Sequence, residues 1–123
     1  MNVYAALALF CKHDKSKGVV AVDSLKGLPK WILTDSPKDS LSLVRDGLTE
    51  ITGIKGWHSI LFGQVGAFES MSEDGKDVLI VYDVYLEGNQ NIFNGYSWLP
   101  INELEKLDEN SMSIIRYIVS KRF

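Results

Sequence analysis

Hydrophobic residues in this chain fall into short apolar or alternating runs, separated by stretches where they recur at helical spacing. The runs predict strands over residues 3–11, 19–22, 31–34, 59–68, 78–87 and 92–99. Alternation is clearest in 78–87, where every second side chain is apolar: Val78, Ile80, Tyr82, Val84 and Leu86. Because side chains of a strand point alternately to its two faces, this pattern predicts one buried face.

The best-specified element is a helix that follows the third strand. Ser36 is predicted to cap its amino terminus, with Pro37 in the first helical position and Asp39 completing a capping box. Four apolar side chains at helical spacing predict its core-facing stripe: Leu41, Val44, Leu48 and Ile51. Gly53 is predicted to end the helix in a left-handed conformation.

Strands and helices interleave along the chain, with a short helical turn predicted at 102–105 and a last helix over 111–120. This order predicts an α/β or an α+β fold with helices on both faces of the sheet. A chain of 123 residues with 46% hydrophobic content can bury one core. We therefore expect residues 1–123 to form a single domain.

Charge and cysteine content narrow the possible partners and the compartment. The formal net charge is −3 and no run of Lys or Arg occurs, so nucleic acid is not an expected partner. The apolar run 3–10 is too short to span a membrane and lacks a basic segment before it, so no membrane partner is expected either. Cys11 is the only cysteine. It excludes an internal disulfide, indicates a reducing, cytoplasmic location and is expected to be buried.

Two carboxylates on the first predicted helix are candidate ligands for a metal. Asp46 and Glu50 stand about one turn apart, so they are neighbours on the surface opposite the core-facing stripe. Such a pair suits Mg²⁺ or Mn²⁺, with water and substrate phosphates completing the coordination. The alternative is an ordinary solvated helix face, where an acidic pair costs only about 0.2–0.5 kcal/mol.

Three segments of the chain resemble parts of the Nudix hydrolase superfamily. Residues 4–10 (YAALALF) are similar to that family's first core strand, and residues 98–104 (WLPINEL) to its late strand-to-helix junction. The first helix with Thr52, Gly53 and Ile54 resembles the end of the Nudix box. The resemblance implies a Nudix-like α/β/α sandwich with a mixed β-sheet. It also implies a divalent metal, Mg²⁺ or Mn²⁺, and a nucleotide diphosphate derivative as substrate.

The Nudix box carries several glutamates, and most of them are absent from this chain. An alignment that ends at Gly53 without gaps places Gly47 at the first glutamate of the helix and retains Glu50 as its one acid. An alignment anchored on Arg45 instead matches Asp46 and Glu50 to a metal-binding pair. That second alignment needs an extra residue before Gly53 and puts Gly47 where the family has an apolar side chain. Both alignments stay open at this point.

The resemblance also implies roles for individual residues. Asp46 and Glu50 are expected to hold the metal, and Glu50 is also a catalytic candidate. Some family members take their general base from a later strand or loop, which makes Glu87 the second catalytic candidate. Substrate binding is expected from Lys30, Trp31 and Arg45, two cations near the box and an aromatic ring. The rings that can stack on a base are those of Trp31, Tyr82 and Tyr96.

The resemblance and the missing glutamates together imply a Nudix-superfamily protein with an eroded box, which binds a nucleotide diphosphate derivative or a protein partner with little or no hydrolysis. The first alternative is a divergent Mg²⁺-dependent pyrophosphohydrolase that acts on a nucleoside diphosphate linked to another moiety. The second alternative is a non-catalytic protein-interaction module that keeps the fold for its shape.

Overall fold

A mixed sheet with a helix on each face forms the molecule. The computed structural model describes residues 1–12, 14, 18–24, 26–55, 62–73, 75–87 and 91–123. Within these ranges the strands are β1 (Val3–Cys11), β2 (Val19–Val22), β3 (Lys30–Ile32), β4 (Gly63–Ser72), β5 (Gly75–Leu86) and β6 (Tyr96–Leu99). The helices are α1 (Ser40–Thr52) and α2 (Glu109–Arg122), with a short 3₁₀ helix at Ile101–Lys106. None of the described helices is long and apolar enough to cross a membrane.

Strand β1 lies in the middle of the sheet. The strand order is β4-β5-β1-β2-β6, and β3 also pairs with β1. β1 runs parallel to β5 and antiparallel to β2 and β3. Both faces of β1 are covered, and its residues 5–10 have no exposed surface. This explains why its sequence is an unbroken apolar run rather than an alternating one.

Alternation along β1 builds two separate cores. Ala6, Ala8 and Phe10 pack under α2, in a cluster that contains three isoleucines of that helix: Ile114, Ile115 and Ile118. Ala5, Leu7 and Leu9 pack under α1, in a cluster with Val44, Leu48 and Ile51. The predicted α/β/α sandwich with a mixed sheet is therefore confirmed. We refer below to the α1 face and the α2 face of the sheet.

The start of α1 differs from the prediction. The helix begins at Ser40, and its N-cap is Asp39 rather than Ser36. The Asp39 carboxylate accepts a hydrogen bond of 2.8 Å from the Ser42 amide, and this bond holds the pKa of Asp39 below its usual range. The Ser36 hydroxyl instead accepts from the Lys38 amide in a local turn. Gly53 ends the helix with φ +73°, as predicted.

Other predicted bounds shift by several residues. β4 starts at Gly63, and the predicted strand positions 59–61 lie outside the described residues. β6 starts only at Tyr96, because Asn94 and Gly95 both have positive φ and form a turn. α2 is longer than predicted, since the Asp108 carboxylate caps it by accepting from the Ser111 amide at 2.8 Å. Cys11 is buried, as predicted.

Candidate functional site

The first part of the candidate site is the outer surface of α1. Asp46 and Glu50 are both exposed on this helix. The Asp46 carboxylate forms an ion pair with Lys38, which lies just before the helix. About half of each of these two side chains is exposed. Solvent therefore screens the pair, and the pair adds little to stability.

The flank of α1 that carries Gly47 is covered by Trp31. Trp31 stands opposite Ala5 in the β1–β3 register, so its side chain points to the α1 face, where it packs on that core. A Cβ atom at Gly47 would overlap the six-membered ring of the indole. Only glycine therefore lets the helix and this ring meet so closely.

The loop that precedes β6 hydrogen-bonds to the end of α1 at Glu50 and Ile51. The Asn94 side-chain amide donates to the Glu50 carbonyl oxygen at 2.6 Å, and the Phe93 amide donates to the Ile51 carbonyl oxygen at 2.8 Å. These bonds satisfy carbonyls at the end of α1 that have no partner within the helix. Burial, followed by the nearby charge of Glu50, raises the pKa of Tyr96.

Three partly exposed aromatic side chains border the α1 face. In the β2–β6 register Trp98 stands opposite Val20 and Tyr96 opposite Val22. Both rings, like Trp31, pack against the core beneath α1. Trp98 was not among the predicted site residues, because it was interpreted only as part of the strand-to-helix junction at residues 98–104. Its two-residue spacing from Tyr96 on a strand was the signal that places both on one face.

The remaining sequence-predicted residues are each in contact with another side chain. Lys30 neighbours Trp31 on β3 and therefore points to the opposite face, where its Nζ lies 4.6 Å from the centre of the Tyr4 ring. Arg45 lies 5.8 Å from the Phe62 ring. Glu87, just past β5, pairs with Lys12 at 3.1 Å. The Tyr82 ring is buried, and its hydroxyl lies 2.8 Å from the Ser40 hydroxyl.

The donors on α1 do not fit the several-glutamate metal site that the resemblance implies. At the first glutamate position of the ungapped alignment, Gly47 offers no ligand and the indole fills the space. The Asp46 carboxylate is paired with Lys38. Of the two acidic side chains on this surface of α1, Glu50 is therefore the one that is not paired with Lys38. The described ranges contain no group of three or more His, Cys, Asp or Glu side chains placed to hold a metal ion.

The fold is similar to that of several solved structures. Escherichia coli dihydroneopterin triphosphate pyrophosphohydrolase is 11% identical, with a TM-score of 0.72 over 96% of this chain and 95% of that chain. The Nudix domain of Shewanella oneidensis NrtR, solved with ADP ribose, is 17% identical, with a TM-score of 0.73 over 98% and 88%. The C-terminal domain of mouse MUTYH, solved with human PCNA, is 18% identical, with a TM-score of 0.75 over 99% and 90%.

Sequence comparison gives no such match. No protein-family model and no curated protein matches the chain. The likeness therefore rests on the arrangement of strands and helices, over nearly the whole chain and at low identity. Because a Nudix domain is among these structural neighbours and matches nearly the whole chain, this chain has the Nudix fold.

Proposed function

We propose that this chain binds a nucleotide diphosphate derivative on the α1 face of the sheet and hydrolyses it slowly or not at all. The observation that carries the proposal is the packing of Trp31 on Gly47. Metal-assisted attack on a diphosphate needs carboxylates that hold the ion against the phosphates. An indole in place of one such carboxylate removes part of that chemistry but leaves the neighbouring surface for a ligand.

The aromatic border of the α1 face supports a ligand that contains a base. Trp31, Tyr96 and Trp98 are each partly exposed on this face. A nucleobase that stacks on an aromatic side chain gains about 1–3 kcal/mol. Lys38, held at Asp46, brings a cation to the same helix for the phosphates. Lys30 and Arg45 stay predictions as phosphate ligands, and Lys30 would have to act from the opposite face.

The competing proposal is a divergent Mg²⁺-dependent pyrophosphohydrolase. Asp46 and Glu50 share the exposed surface of α1, which favours this candidate. It requires that Mg²⁺ displace Lys38 from Asp46, and that Glu87 or another acid supply the general base. Asp46→Asn and Glu50→Gln would then abolish turnover, whereas a binder would keep its affinity in both variants.

The test is thermal unfolding with ADP-ribose, with and without Mg²⁺ or Mn²⁺, combined with an assay of product release in the same samples. ADP-ribose is the first probe because a Nudix domain of the same fold was solved with it. A hundredfold excess over Kd stabilises a native-state binder by about 2.7 kcal/mol. We expect a raised Tm, no dependence on the metal, and no product. Other nucleotide diphosphate derivatives follow in the same format.

A matched pair of tyrosine variants locates the binding surface. Tyr96→Leu should weaken binding about tenfold, through loss of stacking. Tyr117→Leu removes an equally large ring that is 44% exposed on α2, on the other side of the sheet, and should leave binding unchanged. Metal-dependent product release that disappears in Glu50→Gln would instead establish the hydrolase. If no probe raises Tm, nucleotide binding is refuted and the protein-interaction alternative takes its place.

We place this activity in the cytoplasm, as part of the same proposal. Cys11 is a buried thiol and the chain has no second cysteine with which to form a disulfide. A nucleotide ligand is also an intracellular one. Secretion of the native protein, measured by cell fractionation, would contradict this part.

A further inference from the structure

The α2 face carries a row of apolar side chains that the proposed function does not use. Ile32 stands opposite Tyr4, Tyr4 opposite Leu79, and Leu79 opposite Phe68, so the row crosses β3, β1, β5 and β4. Residues paired in this way lie on the same face of a sheet. With strands about 4.8 Å apart, the row is about 14 Å long.

The row is only partly covered. Leu79 is buried at its centre, Tyr4 and Phe68 are half-buried, and Ile32 is 49% exposed. α2 extends the row, because the Tyr117 ring packs edge-on against Phe68 at 5.7 Å. We call these five residues the Tyr4 ledge. A row of apolar side chains that stays partly exposed marks an interaction site more often than a scattered exposed side chain does.

A lysine lies over a tyrosine ring at two places on the Tyr4 ledge. The Nζ of Lys30 is 4.6 Å from the centre of the Tyr4 ring, and that of Lys121 is 5.9 Å from the centre of the Tyr117 ring. Among the described residues, neither lysine has a carboxylate within 4.0 Å. Each of four other lysines does have one: Lys12, Lys38, Lys76 and Lys106.

The acidic group nearest to the row along β5 is already engaged. Asp77 precedes Leu79 by two positions and so points to the same face. It is 9% exposed, and its carboxylate accepts from the Asn2 amide at 3.1 Å. Lys30 and Lys121 therefore place two positive charges beside the Tyr4 ledge, in a protein whose formal net charge is −3.

We propose that the Tyr4 ledge docks an acidic peptide segment of a partner protein, with aromatic or aliphatic side chains between its carboxylates. The apolar row receives the apolar side chains, and Lys30 and Lys121 pair with the carboxylates. Charge complementarity across the rim sets specificity and association rate. Two separated lysines suit a few carboxylates, whereas a nucleic acid needs a denser basic surface than a chain of net charge −3 offers.

The test uses a short fluorescein-labelled peptide in which Glu alternates with Phe and Leu. Fluorescence anisotropy measures binding, and amide shifts in NMR spectra locate it. We expect binding that weakens with salt, with shifts confined to Ile32, Tyr4, Phe68 and Tyr117. The same peptide with every Glu replaced by Lys should not bind.

Charge-matched variants decide whether the lysines are responsible. Lys30→Glu with Lys121→Glu should weaken the peptide about tenfold or more. Lys55→Glu with Arg116→Glu makes the same change in net charge at two exposed positions outside the Tyr4 ledge, and should leave binding unchanged. Tyr117→Ser tests the apolar part at constant charge, and should also weaken the peptide. Urea midpoints equal to that of the wild type confirm that each variant folds.

Several results would overturn the proposal. These are a wild-type protein that does not bind the acidic peptide, equal weakening by both pairs of charge variants, and a U-rich single-stranded RNA that displaces the peptide. Shifts at the same residues caused by self-association in the absence of peptide would also overturn it. Because the ledge and the α1 face lie on opposite sides of the sheet, ADP-ribose should neither compete with nor promote peptide binding. The two proposals therefore fail independently.

Discussion

The two helices cover opposite faces of one sheet, and they are held to it in different ways. Besides its apolar contacts, α2 is held at its end by an ion pair in which Arg122 Nε lies 2.6 Å from the Asp83 carboxylate. The same carboxylate accepts a hydrogen bond of 2.9 Å from the Tyr85 hydroxyl. Asp83 is almost fully buried, at 2% exposed. On α1, a glycine meets an indole, and the nearby carboxylates are left at the surface.

This difference indicates which kind of change each face tolerates. The contact of α1 with Trp31 depends on volume, because interiors are close-packed and have no room for an added side chain. The end of α2 depends on charge, because a buried carboxylate that loses its partner has no water to replace it. We therefore expect size to matter most on the α1 face, and charge and pH to matter most on the α2 face.

The largest effect should come from adding volume on the α1 face. Gly47→Leu should lower the free energy of unfolding by about 3 kcal/mol, because the new side chain overlaps the Trp31 ring. Urea unfolding measures the change. In a Trp31→Ala background the same substitution should cost much less, since the ring that it meets is gone. An equal cost in both backgrounds would show that the indole is not the obstacle.

A smaller effect is expected from removing charge on the α2 face. Arg122→Ala should destabilise by about 2 kcal/mol, because it leaves the Asp83 carboxylate buried with only the Tyr85 hydroxyl. We take the low end for a broken ion pair because the Arg122 side chain is 42% exposed. Asp83→Asn in the same chain should recover part of the loss. Arg116→Ala, at an exposed site on the same helix, should change stability by less than about 0.5 kcal/mol.

The smallest effect should appear at alkaline pH, at Tyr85 on the α2 face. Burial, with the hydrogen bond to Asp83 second, raises the pKa of Tyr85 above its usual value of 10.0. As pH rises, the unfolded chain therefore loses this proton before the folded protein does. The contribution of Tyr85 to the free energy of unfolding is present in full below about pH 10 and falls above it. Tyr85→Phe should flatten that fall by less than about 1 kcal/mol, after allowance for solvent screening. Tyr117→Phe is the control, and urea midpoints from pH 8 to pH 11 give the comparison.

The sequence predicted the parts of the fold that depend on local pattern. The bounds of β1 and β2 and the left-handed end of α1 at Gly53 follow from residues next to one another in the chain. The alternation of β5 predicted one buried face, whereas the structure also buries Leu79, Val81 and Asp83 on the other face, because α2 covers it. The predicted start of α1 was wrong because two polar side chains close together in the sequence, Ser36 and Asp39, can each cap a turn there. Ser36 accepts a hydrogen bond two residues ahead, whereas Asp39 reaches three residues ahead, to Ser42, and so caps the helix.

The candidate site was less predictable because it joins distant residues. Nothing in the sequence places Trp31 on Gly47, since that contact requires β3 to pair with β1 beneath α1. The separation of Lys30 from Trp31 follows from strand alternation once β3 is known. Strand alternation likewise places Trp98 on the same face of β6 as Tyr96. The assigned roles of Asp46, Glu50, Glu87, Lys30 and Arg45 stay predictions, and the Asp46→Asn and Glu50→Gln variants test the first two.

The pairing of β1 with β5 also has a consequence for how the chain is made. These parallel strands hydrogen-bond along the whole of β1. Asn2, just before β1, bonds to Asp77 of β5, and the two residues are 75 positions apart in the chain. During synthesis the most apolar strand therefore leaves the ribosome long before its main partner exists. Contacts between distant segments also slow folding. The nascent chain must keep residues 3–11 from aggregating until β5 emerges, which makes this strand the first place where a chaperone would be needed.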